Sequence, residues 1–248
     1  MKKREKLALI RQYYPNAITT IDNVNTLIDY VEGVLDLELA QVMLADSICS
    51  DGVNSIQYPV RTVEFLGPFK MGGLAGFPFA GLTGMGALDS HVPDDGAILL
   101  YYGPHVGVSK EGVIGEIARS GQIKKSKCCG ALIGALNKLK KDEIVDGEMR
   151  DMDHQMSTIE QVLLKQKDRI LSAEIPLKEA NEVFYEAIDE RVQQLTAQTT
   201  YNCKYVILVG AILINSDSGI GSFSATKRFD VINLETRERQ SLLNDYFA

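Results

Sequence analysis

Two rhythms of hydrophobic positions run along the chain. Residues 4–14 and 21–46 repeat at helical spacing. In the longer of the two, Ile21, Val24, Leu27, Ile28, Val31, Val34 and Leu35 fall on one face. Thr20 or Asp22 would cap its start. Residues 96–103, "GAILLYYG", form a short continuous apolar run ending on glycine, which predicts a buried strand. Residues 129–143 predict a helix with a charged tail. Residues 148–198 are charged, glycine-free and helix-periodic, and read as two helices, 157–174 and 176–198, joined at Pro176. The most apolar run, "KYVILVGAILI" at 204–214, is of strand length. A turn, "DSGIGSFS", leads from it to a second strand-like run at 227–235.

Strands with intervening helices predict an α/β domain around a sheet. No shift in composition marks a boundary, so residues 1–248 read as one domain. Within it, 1–46 supplies N-terminal helices, and 148–198 is a helical insertion or a dimer arm. Residues 67–130 hold 14 of the 21 glycines in a setting too apolar for a linker. Glycine at that density predicts tight turns and close backbone approach around a functional site.

Charge and composition narrow the function. The net charge of −7 argues against a broad nucleic-acid footprint. No run reaches membrane-spanning length, and the start "MKKREKLALIRQYYPN" has too short an apolar stretch for a signal peptide, so a cytoplasmic location is expected. In that compartment four cysteines point to metal or catalysis rather than to disulfides. "GGLAGFPFAG" lacks the lysine and the spacing of a phosphate loop.

Three ligand-type residues sit at element ends. Cys49 follows an apolar run and is followed two residues later by Asp51. His105 comes just after the strand 96–103, where sites form in α/β sheets. Cys129 opens a helix, where unpaired N–H groups favour a thiolate. Two thiolates and an imidazole suit zinc and leave a fourth position open. There is neither a CxxC pair nor an HExxH motif. At this level Cys128 and Cys129 also read as small buried thiols, and His91 rivals His105. His154 lies in the charged helical part, and Cys203 reads as a packed thiol.

Taken together, "CSDGVN", "GGLAGFPFAGLTGMGALDSHVPDDG", "YGPHVGVSKEGVIGEIARSGQ" and "KCCGAL" resemble the limiting-CO2-inducible protein B/C family of β-type carbonic anhydrases. The resemblance covers about residues 45–135. It implies a β-carbonic-anhydrase-like central sheet flanked by helices, a homodimer, and a Zn2+ site with Cys49, His105 and Cys129 as ligands. Gly130 after Cys129 matches the glycine that follows the second zinc cysteine of ordinary β-carbonic anhydrases. Cys49-Ser50-Asp51 matches the start of their Cys-x-Asp-x-Arg motif, but Val53 stands where they carry arginine.

The implied activity is reversible hydration of CO2 to bicarbonate and a proton. Asp51 would either pair with an arginine and orient the attacking oxygen, or close onto the metal's fourth position. Since Val53 cannot pair with it, the arginine must come from elsewhere: Arg61 is the first candidate and Arg119 the second. Phe77 and Phe79 are candidate walls for a CO2 pocket, and His91 is a candidate proton shuttle. The alternative is a catalytically silent zinc-binding homologue with a regulatory or scaffolding role.

Overall fold

The structure, a computed structural model, describes residues 3–54 and 59–247. The chain opens with α1 (Lys3–Ile10), the two-residue β1 (Ile18–Thr19) and α2 (Thr20–Gly33). Next come β2 (Val42–Ser47), β3 (Leu66–Lys70), α3 (Gly81–Asp89), β4 (Ala97–Tyr102) and β5 (His105–Gly107). β6 (Glu116–Ile117) and β7 (Ser126–Lys127) pair with each other ahead of α4 (Gly130–Lys140). α5 (His154–Leu164), α6 (Lys167–Ser172) and α7 (Pro176–Gln198) precede β8 (Tyr205–Asn215), β9 (Ser222–Asn233), β10 (Glu238–Ser241) and α8 (Leu243–Phe247).

The main sheet runs β1-β9-β8-β4-β2-β3, with β10 on β9 and β5 on β8. Its centre, β3, β2, β4 and β8, is parallel, and β9 returns antiparallel along the whole of β8. Parallel strands covered on both faces are apolar throughout, and β2 and β4 are buried at every position. Successive residues still divide between the faces with period two. Met43, Ala45, Ile98 and Leu100 join the core beneath α3–α7. Val42, Leu44, Leu99 and Tyr101 join the core beneath α2 and α8. The result is the α/β sheet flanked by helices that the sequence predicts.

Four element boundaries differ from the sequence expectation. The helix expected over 21–46 ends at Gly33, and Val42–Ser47 is a strand. "VMLADS" offers apolar side chains to both faces of a sheet, and that burial outweighs the helical spacing upstream. The cap of α2 is Thr19, whose hydroxyl accepts from Asp22 N at 3.1 Å. The helix expected over 157–174 is broken between Leu164 and Lys167. β9 starts at Ser222, five residues earlier than expected, because Ser222 pairs with Asn215 and leaves only a short turn between β8 and β9.

Pro176 occupies the first turn of α7, where its missing N–H goes unneeded. α5–α7 lie against the sheet: Ile159, Leu163, Ile170, Phe184, Ile188 and Val192 share one core with Leu208 and Ile212. No described helix is long and apolar enough to cross a membrane.

Candidate metal centre

Each candidate ligand is delivered by the end of an element. β2 runs out at Ser47 and leads directly to Cys49. β4 ends at Tyr102, and the chain then steps sideways through Gly103 and Pro104, so that β5 begins at His105 farther along β8. Gly103 lies at φ +148° with its Cβ position 1.8 Å from the Ala211 carbonyl oxygen, so only glycine fits. Cys129 is the N-cap of α4. The glycine-rich 72–77 loop folds over Cys49. Gly76, at φ +88°, has its Cβ position 2.3 Å from the Gly103 oxygen, and Ala75 N donates to Cys49 Sγ at 3.2 Å.

The donor atoms of Cys49, His105 and Cys129 lie within 4.8 Å of one another, and all three residues are buried. With Zn–S near 2.3 Å and Zn–N near 2.0 Å, a tetrahedral site places its donors roughly 3.5–3.8 Å apart, so the cluster is of the right size. The imidazole is already oriented. His105 Nδ1 is 2.7 Å from Asn215 Oδ1, and Asn215 Nδ2 donates to Asn54 Oδ1 at 3.2 Å. The amide oxygen therefore faces the ring and selects the Nδ1–H tautomer. His105 Nε2 is buried without a hydrogen-bond partner among the described residues, as a nitrogen awaiting a ligand would be. Cys128 lies on the other side, its sulfur 3.4 Å from Asn215 Oδ1 and 3.5 Å from His105 Nδ1.

The electrostatics of this cluster suit a cation. A hydrogen bond from Cys129 holds the Cys49 thiol well below its ordinary value against the effect of burial, and His105 adds to the shift. The same bond and burial push the Cys129 thiol up. Burial opposes a charge on His105, but the surrounding cysteine sulfurs, Cys129 first, outweigh it and raise its pKa. Two sulfurs and one imidazole nitrogen fit zinc, which would displace the protons these groups otherwise share.

Asp51 borders the cluster, with a carboxylate oxygen within 4.8 Å of His105 and Cys128 donor atoms. Its two oxygens accept from Arg119 Nη1 and Nη2 at 2.8 and 2.7 Å. Val53 N also donates to it at 3.1 Å. The Arg119 bond is the main cause of its lowered pKa. Arg119 Nε donates in turn to Ser126 Oγ at 2.8 Å, which fixes the guanidinium plane. A cavity of about 200 Å³ opens beside this pair, lined by Val53, Ile117, Arg119, Asn215, Ser216 and Asp217 among others.

The pairing of Asp51 with Arg61 is corrected by this geometry. Arg61 is exposed on a 3-10 turn and forms its ion pairs with Glu32 and Glu64. It follows β2 closely in sequence, but the turn carries it to the surface, whereas the 116–127 hairpin brings Arg119 back over the site.

A family model for the limiting CO2-inducible proteins B/C beta carbonic anhydrases matches residues 18–233. The chain belongs to this family. Among curated proteins no relative is matched. Among solved structures it is similar to PtLCIB4, a homologue of the limiting CO2-inducible protein LCIB. That match has 28% identity and a TM-score of 0.81, over 95% of this chain and 98% of that one. The structure of LCIB itself has a TM-score of 0.72 at 18% identity, over 93% of this chain and 95% of that one, a likeness of fold.

Other residues singled out in the sequence make different contacts. His91 is exposed, with Nδ1 against the Ala87 carbonyl and its ring beside Phe69. His154 opens α5 beside Phe79, and Cys203 is buried, donating to the Tyr205 carbonyl. Phe77 and Phe79 meet each other, and Phe77 packs on Phe184 and Arg191 of α7. Sequence reasoning missed Asn215, Asn54 and Ser126. Asn215 did leave a signal: it is the polar residue that closes the longest apolar run.

Proposed function

We propose that the chain catalyses reversible hydration of CO2 to bicarbonate and a proton, at a zinc ion held by Cys49, His105 and Cys129. The observation that carries this reading is the bidentate Asp51–Arg119 pair at the edge of a three-donor cluster. Bound zinc would supply Lewis-acid activation of water. The chain's own groups do the rest. Asn215 keeps the proton of His105 on Nδ1 and so leaves Nε2 as the ligating nitrogen. Arg119 holds Asp51 ionised, and an ionised carboxylate only accepts hydrogen bonds. Asp51 is therefore suited to take the O–H of the attacking water and aim its lone pair at the carbon of CO2. The guanidinium fork also ties up both carboxylate oxygens, which keeps Asp51 from serving as a fourth ligand.

The alternative is a silent zinc-binding homologue with a regulatory or scaffolding role. It draws on one observation: an Asp51 carboxylate oxygen lies within 4.8 Å of a His105 ring nitrogen, from where a shift of the side chain would be needed to reach the metal. Stopped-flow CO2 hydration at alkaline pH separates the two. Zinc-loaded wild type is expected to exceed the buffer rate, with Cys49→Ser and Asp51→Ala falling to it. A buffer-level rate in wild type with zinc bound would favour the silent homologue. A cytoplasmic homodimer acting on CO2 and bicarbonate completes the proposal, and sedimentation velocity tests the assembly.

A further inference from the structure

The turn between β8 and β9 touches the candidate centre twice. Asn215, at its start, orients His105. Two residues on, Asp217 is buried and its carboxylate is bonded to the segment that carries Arg119. Oδ1 accepts from Ala118 N at 2.7 Å and Oδ2 from Lys110 N at 2.9 Å. Ser218 adds two bonds to the same segment: its N donates to Ala118 O at 2.9 Å, and its Oγ accepts from Ser120 N at 2.9 Å. Arg119 is thus held on both sides by the turn, through its neighbours Ala118 and Ser120.

The segment is anchored from beneath as well. Lys6 of α1 is buried and donates to the Val108 and Ser109 carbonyls. Burial pulls its pKa down to about 8, and Asp217 and Glu111 act in the opposite direction. Tyr13 Oη donates to Gly112 O at 2.7 Å. A buried carboxylate spent on backbone N–H groups of one loop is an arrangement that fixes loop position.

We propose that Asp217, assisted by Ser218, is a positioning residue: the β8–β9 turn is the template that holds Arg119 against Asp51. One turn then sets both the tautomer of the histidine ligand and the placement of the carboxylate beside it. The inference rests on the metal-centre reading of the site. Asp217→Asn keeps the shape but replaces one acceptor oxygen with a donor, so it cannot accept from both Lys110 N and Ala118 N.

The test uses the full chain loaded with cobalt(II), whose visible absorption reports the ligand field. Asp217→Asn is expected to change the spectrum of wild type. The same substitution in an Asp51→Ala background should leave that background's spectrum unaltered, since the carboxylate it releases is gone. No change in wild type, or an equal change in both backgrounds, overturns the proposal. If Asp217→Asn does not fold, Ser218→Ala, which removes only the Ser120 bond, is read in the same way. In CO2 hydration, kcat is expected to fall about 10-fold in Asp217→Asn, with no further loss when Arg119→Ala is already present. Wild type at the buffer rate would overturn the proposed function but leave the cobalt result able to decide this one.

Discussion

The two arginines considered for Asp51 make opposite predictions at the scale of the residue. Arg119 is partly buried, bidentate on the carboxylate and braced by Ser126. Arg119→Ala should lower kcat/KM for CO2 hydration by about 10- to 100-fold, the usual cost of removing a partner just outside a metal's ligands. Arg61 pairs with Glu32 and Glu64 in open water, where such pairs contribute roughly 0–1 kcal/mol. Arg61→Ala should therefore leave kcat/KM within about two-fold of wild type on the same argument. A large loss in Arg61→Ala would sink the Asp51–Arg119 assignment. Asn215→Ala should leave an Nδ1 proton without its acceptor and weaken zinc binding about 10- to 100-fold, measured by competition with a chromogenic chelator. The convergence of Cys49, His105 and Cys129 was legible from their places at element ends and from the motifs that carry them. Arg119 was legible only as the second candidate, because its partner is 68 residues away in sequence. Nearness along the chain to Asp51 favoured Arg61, and a single 3-10 turn sends that residue to the surface.

Burial decides what periodicity leaves ambiguous at the scale of the element. α2 shows its apolar stripe at helical spacing, but the pattern does not stop where the helix does, and β2 continues as another dense apolar stretch. Only the cores packed on either side of the sheet reveal that both of its faces are covered. β4 and β8 were legible because their runs are short, apolar and bounded by glycine or polar residues. α5 carries a test of its own. Glu160 is buried against the helices, with Lys138 Nζ and Arg150 Nη1 each 2.7 Å from its oxygens. Burial alone would raise its pKa, but these two cations, Arg150 first, outweigh burial and lower it. The folded state thus binds this proton less readily than the unfolded chain, whose carboxylate titrates near about 4.3. The stabilisation is complete above that value and is lost as pH falls through the lowered folded-state value. Glu160→Gln should cost about 1–2 kcal/mol at neutral pH, a fall of roughly 3–6 °C in Tm, because both cations stay partly solvated. The gap between the two proteins should close in strong acid. A gap independent of pH, followed by thermal melts across the acid range, would show that packing rather than charge is at stake.

The proposed ligands tie together parts of the whole molecule that are far apart in sequence. Cys49 follows β2, His105 opens β5 and Cys129 caps α4, so one ion would join the sheet centre to the helical layer. The residues around them already hold the site's shape through the Asn215 amide, the Ala75 N–H and the Arg119 fork. The fold is therefore expected to survive without metal, unlike a zinc finger, and binding should add stability to a state that is already folded. An ion that binds the native state alone stabilises it by about 4 kcal/mol when present at about 1,000 times its Kd. In a chain of this size each kcal/mol moves Tm by roughly 2–4 °C. Stripping the metal with a chelator should thus lower Tm by about 10 °C while the far-ultraviolet circular dichroism of the folded chain persists. Restoring zinc should recover the loss, and Cys49→Ser should melt at one temperature with or without the metal. If chelation left the wild-type Tm unmoved, the cluster of two sulfurs and an imidazole would be a packed core, and its orphaned nitrogen would need another partner. If chelation unfolded the chain outright, the preformed hydrogen bonds around the site would have to be formed by the metal rather than waiting for it.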